Sequence, residues 1–134
     1  MQYPISEIFY SVQGEGVLAG VPSVFIRLAG CSLRCKWCDT AYAWQQSEAE
    51  IMTLPQILQK VKAYNCRSVV VTGGEPLENP AIDKLMEMLS DQDYHITLET
   101  AAINFVSIPC DLVSISPKLS NSCPENVQKE EYLN

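Results

Sequence analysis

Two features of the sequence predict an α/β fold built on parallel strands. Runs rich in β-branched and aromatic residues at 23–28, 68–76, 95–100 and 111–116 are separated by stretches of helical periodicity, the rhythm of β/α units. Those runs are apolar almost throughout. That pattern suits strands buried on both faces, in a sheet flanked by helices or curved into a barrel.

The elements follow in order after an opening segment. "SVFIRL" (23–28) reads as a buried strand running into Ala29-Gly30. "TLPQILQKVKAYN" (53–65) spaces Leu54, Ile57, Leu58, Val61 and Tyr64 helically, with Thr53 and Gln56 placed for a capping box and Pro55 in the first turn. "SVVVTGGEP" (68–76) is a strand broken by a glycine pair. Asn79 and Pro80 start a second helix carrying Ile82, Leu85, Met86 and Leu89 on one face. "HITLET" (95–100) and "DLVSIS" (111–116) supply two more strands. With no internal repeat or low-complexity tract, residues 1–134 read as a single domain, with 119–134 an ill-defined tail.

Composition excludes several functions. With 134 residues, 47% of them hydrophobic, the chain has enough apolar material for a core. The net charge of −7 argues against a cationic surface for nucleic acid or anionic lipid. No apolar run approaches a membrane span, and "MQYPISEIF" lacks the features of a signal peptide, so a cytoplasmic location is expected. In that compartment a tight group of thiols points to a metal or redox centre rather than a disulfide scaffold.

In either architecture ligands bind at the carboxyl edge of the parallel strands. That edge gathers Cys31 to Cys38, Thr72 to Pro76, Glu99-Thr100 and Ser116 to Lys118. Cys31, Cys35 and Cys38 form C-x3-C-x2-C, three thiolates on one short loop. A structural zinc site wants four protein ligands, and Cys66 and His95 are remote from the loop, at strand starts. Thiolates around an iron–sulfur cluster with one open corner fit better. "TGGEP" (72–76) combines glycines that permit close backbone approach with carbonyls and Glu75 as acceptors for a cation. Alone it would equally suit a Gly-rich turn leading to a helix.

The C-x3-C-x2-C loop, with Trp37 before its last cysteine, and the Gly-Gly-Glu element resemble the radical S-adenosylmethionine (SAM) enzymes. Together "FYSVQGEG" (9–16), "CDT" (38–40) and "SISPKLSNS" (114–122) are similar to the 7-carboxy-7-deazaguanine synthases among them, over almost the whole chain to about residue 122. The resemblance implies a partial (βα) barrel of the radical SAM type, with parallel strands and helices on the outside. It implies a [4Fe-4S] cluster on Cys31, Cys35 and Cys38, whose fourth iron is chelated by the methionine amino and carboxylate groups of SAM. Gly73, Gly74 and Glu75 would receive the methionine ammonium, and Trp37, Asp39, Ser116 and Lys118 would line the same cofactor. Val12, Gln13, Gly14, Glu15, Arg27 and Thr72 would contact 6-carboxy-5,6,7,8-tetrahydropterin, and Thr40 would bind Mg2+. The implied reaction is a radical ring contraction, begun by hydrogen abstraction from C6, that releases ammonia and yields 7-carboxy-7-deazaguanine for queuosine and other 7-deazapurines. No side chain is assigned as catalytic. The implied partners are a reductant protein such as flavodoxin and a second copy of the chain. Family members run longer, so a C-terminally truncated form or a fragment is expected.

Each assignment has an ordinary structural counterpart. A guanidinium in an apolar strand needs an anionic partner; for Arg27 that is a substrate carboxylate or a protein carboxylate. Thr40 suits a helix cap as well as magnesium, and Gln13 and Glu15 suit a tight turn as well as a pterin edge. Cys66, Cys110 and Cys123 read as incidental thiols, His95 as structural, and "QKEEY" near the end as a solvated helix face. Two other functions share part of the pattern: a radical SAM activating enzyme acting on a protein glycine, and a non-catalytic iron–sulfur or zinc module.

Overall fold

A computed structural model describes residues 1–30, 49–102 and 107–116. Its elements are β1 (Gln2–Val12), β2 (Pro22–Leu28), β3 (Glu50–Thr53), α1 (Leu54–Lys62), β4 (Ser68–Gly73), a 3-10 turn (Pro76–Glu78), α2 (Ile82–Asp91), β5 (His95–Thr100) and β6 (Leu112–Ile115). The strands form one sheet in the order β3-β1-β2-β4-β5-β6. β2, β4, β5 and β6 are mutually parallel, as the apolar runs predict. β1 pairs antiparallel with both β2 and β3, two strands that the alternation of runs and helices does not reveal.

The helices begin close to where the sequence places them. In α1, the Gln56 side-chain carbonyl accepts from the Thr53 backbone N–H at 2.8 Å, satisfying a donor that the first turn would leave unpaired. Ile57 and Val61 are fully buried. Tyr64 lies beyond the helix end and stacks on Tyr10 with ring centroids 6.1 Å apart. α2 starts two residues after Pro80, because the Asn79 side chain accepts from Ala81 N at 2.9 Å and forms a turn there. Its Ile82, Leu85, Met86 and Leu89 are buried, as the 3.6-residue period requires.

Both helices pack on one face of the sheet. Ile57, Val61, Leu85, Met86 and Leu89 share a core with Val24, Ile26 and Leu28 of β2, Val69 and Val71 of β4, and Ile96 and Leu98 of β5. The intervening residues face the other way, because side chains alternate along a strand. This helix-free inner face carries Phe9 stacked on Phe25, with centroids 5.0 Å apart, together with Arg27, Val70, Thr72, Thr97 and Glu99. The arrangement is the helices-outside partial barrel. Among the described residues, no helix is long and apolar enough to cross a membrane.

Candidate active site

The carboxyl ends of the parallel strands are tied together by short hydrogen bonds. Gly73 sits where β4 passes β2 so closely that a Cβ would lie 2.3 Å from the Leu28 carbonyl oxygen; only glycine fits. Beyond it, Gly74 N donates to Leu28 O at 3.1 Å and Glu75 N donates to Gly30 O at 3.0 Å. The Gly-Gly-Glu turn is therefore fastened to the residue immediately before Cys31. Two segments more than forty residues apart in sequence thus meet at Gly30, where the described residues after β2 end.

Glu75 is almost fully buried, and its carboxylate is held by the protein itself. Oε1 accepts from Leu77 N at 3.1 Å and from the Thr100 hydroxyl at 2.6 Å, and Oε2 accepts from Ala101 N at 2.8 Å. These bonds close the 3-10 turn and lock the end of β4 to the end of β5. Ser116 N donates to Thr100 O at 2.9 Å and carries the same rim on to β6.

One residue step below the rim, a polar row crosses the inner face. Glu7 pairs in register with Arg27, Arg27 with Thr72, and Glu99 with Ser114. Thr72 and Glu99 are joined by a 3.1 Å hydrogen bond from Thr72 Oγ1 to Glu99 Oε2. Arg27 Nε donates to Glu7 Oε1 at 2.9 Å, and its guanidinium lies 5.6 Å from the Phe9 ring centroid. A protein carboxylate thus supplies an anionic partner that a strand arginine requires. The β1–β2 connection reaches this row as well. Gln13 is buried and donates to Glu99, and Ser114 Oγ donates to Glu15 Oε1 at 3.2 Å. Glu15 N donates to the Gln13 side-chain oxygen at 3.3 Å, so Gln13 also shapes the turn.

Glu99 is the hub of this row. Burial and the nearby Glu15 carboxylate push its carboxyl above the ordinary range, against hydrogen bonds from Gln13 and Thr72 and the charge of Arg27. On the same strand and face, Thr97 Oγ1 is buried without a hydrogen-bond partner.

Of the six residues expected at the substrate, Gln13, Glu15, Arg27 and Thr72 converge on Glu99. Val12 is exposed at the end of β1, and Gly14 has open space where a Cβ would lie. Gly73, Gly74, Glu75 and Ser116 of the expected cofactor set share the rim. Cys31, Cys35, Cys38, Trp37, Asp39, Thr40, Lys118 and Cys123 lie outside the described residues. Among the described residues, no cluster of His, Cys, Asp or Glu forms a metal site. Cys66 and Cys110 are free thiols, and His95 is exposed. Sequence reasoning placed Glu99 and Thr100 at the ligand edge without assigning either a contact, and did not single out Thr97 or Ser114 as site residues; the available signal was two polar residues at alternate positions of "HITLET".

The family model described as the Radical SAM superfamily matches residues 25–117, from β2 through the end of the rim. The chain belongs to the radical SAM superfamily. It is 46% identical over 123 residues to a 7-carboxy-7-deazaguanine synthase of Halobacterium salinarum, covering 90% of this chain and 48% of that one. It is 47% identical over 121 residues to one of Rhodopirellula baltica, covering 90% and 47%, and 37% identical over 141 residues to one of Escherichia coli K12, covering 90% and 63%. The chain therefore spans about half to nearly two thirds of the length of these curated relatives. A solved crystal structure of QueE from Escherichia coli matches with a TM-score of 0.79 at 30% identity, over 99% of this chain and 68% of that one. Membership of the radical SAM superfamily implies a [4Fe-4S] cluster and SAM. The residues present fit that pair: three cysteines at C-x3-C-x2-C spacing in the sequence, a glycine turn that admits close backbone approach, and a hydrogen bond fastening that turn to Gly30, the residue before Cys31.

Proposed function

We propose that this chain is a 7-carboxy-7-deazaguanine synthase, converting 6-carboxy-5,6,7,8-tetrahydropterin to 7-carboxy-7-deazaguanine with release of ammonia. Substrate and product differ by one ammonia, so the reaction needs no net electrons. The observation that carries the reading is vertical adjacency: the polar row of Arg27, Thr72 and Glu99 lies one strand step, about 3.3 Å of rise, below the cofactor rim of Gly73 to Glu75 and Ser116. A ring held on that row is within reach of a reactive group held on the rim.

In this reading Cys31, Cys35 and Cys38 hold the cluster, with Trp37, Asp39, Gly73, Gly74, Glu75, Ser116 and Lys118 around SAM. When bound, the pair supplies a 5′-deoxyadenosyl radical for hydrogen abstraction at C6. Both oxygens of the Glu75 carboxylate already accept from the fold, so its first task is to hold the rim rigid, while the Gly73 and Gly74 carbonyls offer acceptors to an ammonium. Gln13, Glu15, Arg27 and Thr72 orient the pterin, with Val12 and Gly14 beside it. Thr40 would hold Mg2+ through its hydroxyl, and the ion would supply electrostatic stabilisation to the substrate carboxylate region. A flavodoxin-type protein supplies the electron, the chain acts as one domain in a cytoplasmic homodimer, and neither nucleic acid nor membrane is a partner.

Anaerobic reconstitution with iron and sulfide, followed by dithionite and SAM, tests the proposal. The expected result is 7-carboxy-7-deazaguanine, with 5′-deoxyadenosine formed when carboxytetrahydropterin is added. A reconstituted 4Fe-4S protein that cleaves SAM yet forms no such product would overturn it, and cleavage dependent on a partner polypeptide would point to an activating enzyme.

A further inference from the structure

Resting on the proposed function, we infer that Glu7 is a positioning residue: it holds the Arg27 guanidinium on the β1 side of the inner face, oriented toward the 6-carboxylate of the pterin. Glu7 acts through Arg27 rather than on the substrate. The β1 bulge carries the inference. Ile5 lies opposite Leu28 on the helix-covered face, and regular alternation would put residue 7 on that face too. The register shift between Ile5 and Glu7 instead turns Glu7 to the inner face, directly opposite Arg27. Bulges beside active sites commonly re-aim a side chain in this way.

The guanidinium is then gripped on two sides. Its Nε donates to Glu7 Oε1 at 2.9 Å, and its carbon lies 5.6 Å from the centroid of the Phe9 ring. Phe9 is itself backed by Phe25, with centroids 5.0 Å apart and ring planes 9° from parallel. A guanidinium is a rigid planar fork, so fixing Nε and one flank fixes the plane in which its terminal nitrogens meet a carboxylate. Stability is a poor explanation for the pair. The Glu7 side chain is 40% exposed, and such ion pairs contribute little to folding. Orientation is the better one, because the same row offers Arg27 a second carboxylate. Its charge is felt at Glu99, beyond Thr72, about 10 Å away as two strand spacings are counted. A guanidinium released from Glu7 would swing toward Glu99 and lie across Thr72, the middle of the row on which the ring is held.

The test uses two stable probes, 6-carboxypterin and pterin, which differ only in the 6-carboxylate. Equilibrium titration of the reconstituted protein should show wild type preferring 6-carboxypterin by about 10- to 100-fold, the range of hydrogen bonds to a charged group. Each preference is a ratio measured on one variant, so it does not depend on the fraction of folded protein. Glu7→Ala should reduce it by about 10-fold. Glu7→Gln, which keeps an oxygen to accept from Nε, should restore most of the loss. In an Arg27→Gln background, Glu7→Ala should alter the preference by less than about twofold, since no guanidinium is left to orient. A higher preference in Glu7→Ala and Glu7→Gln would mean that Glu7 competes with the ligand for Arg27; that result, or an unchanged preference, overturns the inference and leaves the proposed function standing. If wild type binds neither 6-carboxypterin nor carboxytetrahydropterin, the proposed function falls, and this inference with it.

Discussion

Replacing Gly73 with alanine tests the closest contact in the site. The added Cβ would lie 2.3 Å from Leu28 O, 2.9 Å from Leu28 N and 3.0 Å from Leu28 C, against a backbone that has no rotamer to give. Relief requires β2 and β4 to part by about 1 Å, since non-bonded carbon atoms sit comfortably only at about 3.5–4.0 Å. That movement breaks or stretches the bonds from Gly74 N to Leu28 O and from Glu75 N to Gly30 O. Each is worth about 1 kcal/mol net. Overpacking adds about 1–3 kcal/mol, for a total of about 3–5 kcal/mol out of the roughly 5–15 kcal/mol that holds a small domain together. For a chain of this size the melting temperature should fall by about 10–20 °C. Thermal unfolding followed by far-UV circular dichroism measures it. Gly14→Ala is the control, because a Cβ there meets nothing within 4 Å, and it should melt within about 2 °C of wild type. Equal melting temperatures for Gly73→Ala and Gly14→Ala would refute the reasoning.

Thr100→Val removes the 2.6 Å hydroxyl bond to Glu75 and the acceptor for Ala102 N, and should cost about 2–3 kcal/mol in urea unfolding. Glu99 gives a pH signature. Its folded pKa is raised, so the fold is not penalised while the carboxyl is protonated, and stability is lost as pH rises through that folded value. Glu99→Gln should accordingly melt with wild type near about pH 4 and a few degrees above it near about pH 7.5; a constant difference would contradict the burial argument. Cys35→Ala should lose most of its reconstituted iron and its 4Fe-4S absorbance. The Cys66→Ala and Cys110→Ala variants should retain both, as expected of thiols that are not ligands.

β2, β4 and β5 were legible because burial on both faces makes them largely apolar, and the helices because their buried positions recur at the helical period; β6, equally apolar in sequence, lies at the edge of the described sheet with Val113 and Ile115 exposed, against the expectation of burial on both faces. β1 was hidden by a single irregularity. A register shift between Ile5 and Glu7 places Ile5 opposite Leu28 on the helix-covered face and Glu7 opposite Arg27 on the inner face, which breaks the two-residue alternation. The same bulge supplies the Arg27 partner, so the ion pair could not be found without the strand. β3 is four residues long and lies at the sheet edge, too short to carry a pattern.

The rim was legible because Gly-Gly-Glu and the cysteines are motifs contiguous in sequence. Glu99 was not, because its meaning comes from Gln13, Glu15, Arg27 and Thr72, which only the sheet register and the β1–β2 connection bring together. Glu75 illustrates the converse. The sequence marks it as a ligand for a cation, and the structure adds the three protein donors that make it a brace between strand ends.

Carboxytetrahydropterin deuterated at C6 most directly tests whether a ring on the Arg27–Thr72–Glu99 row meets the reactive group on the rim. Mass analysis of the 5′-deoxyadenosine should find the label there in the course of turnover. Unlabelled 5′-deoxyadenosine accompanying product would place the abstracted hydrogen elsewhere and contradict the alignment of row and rim.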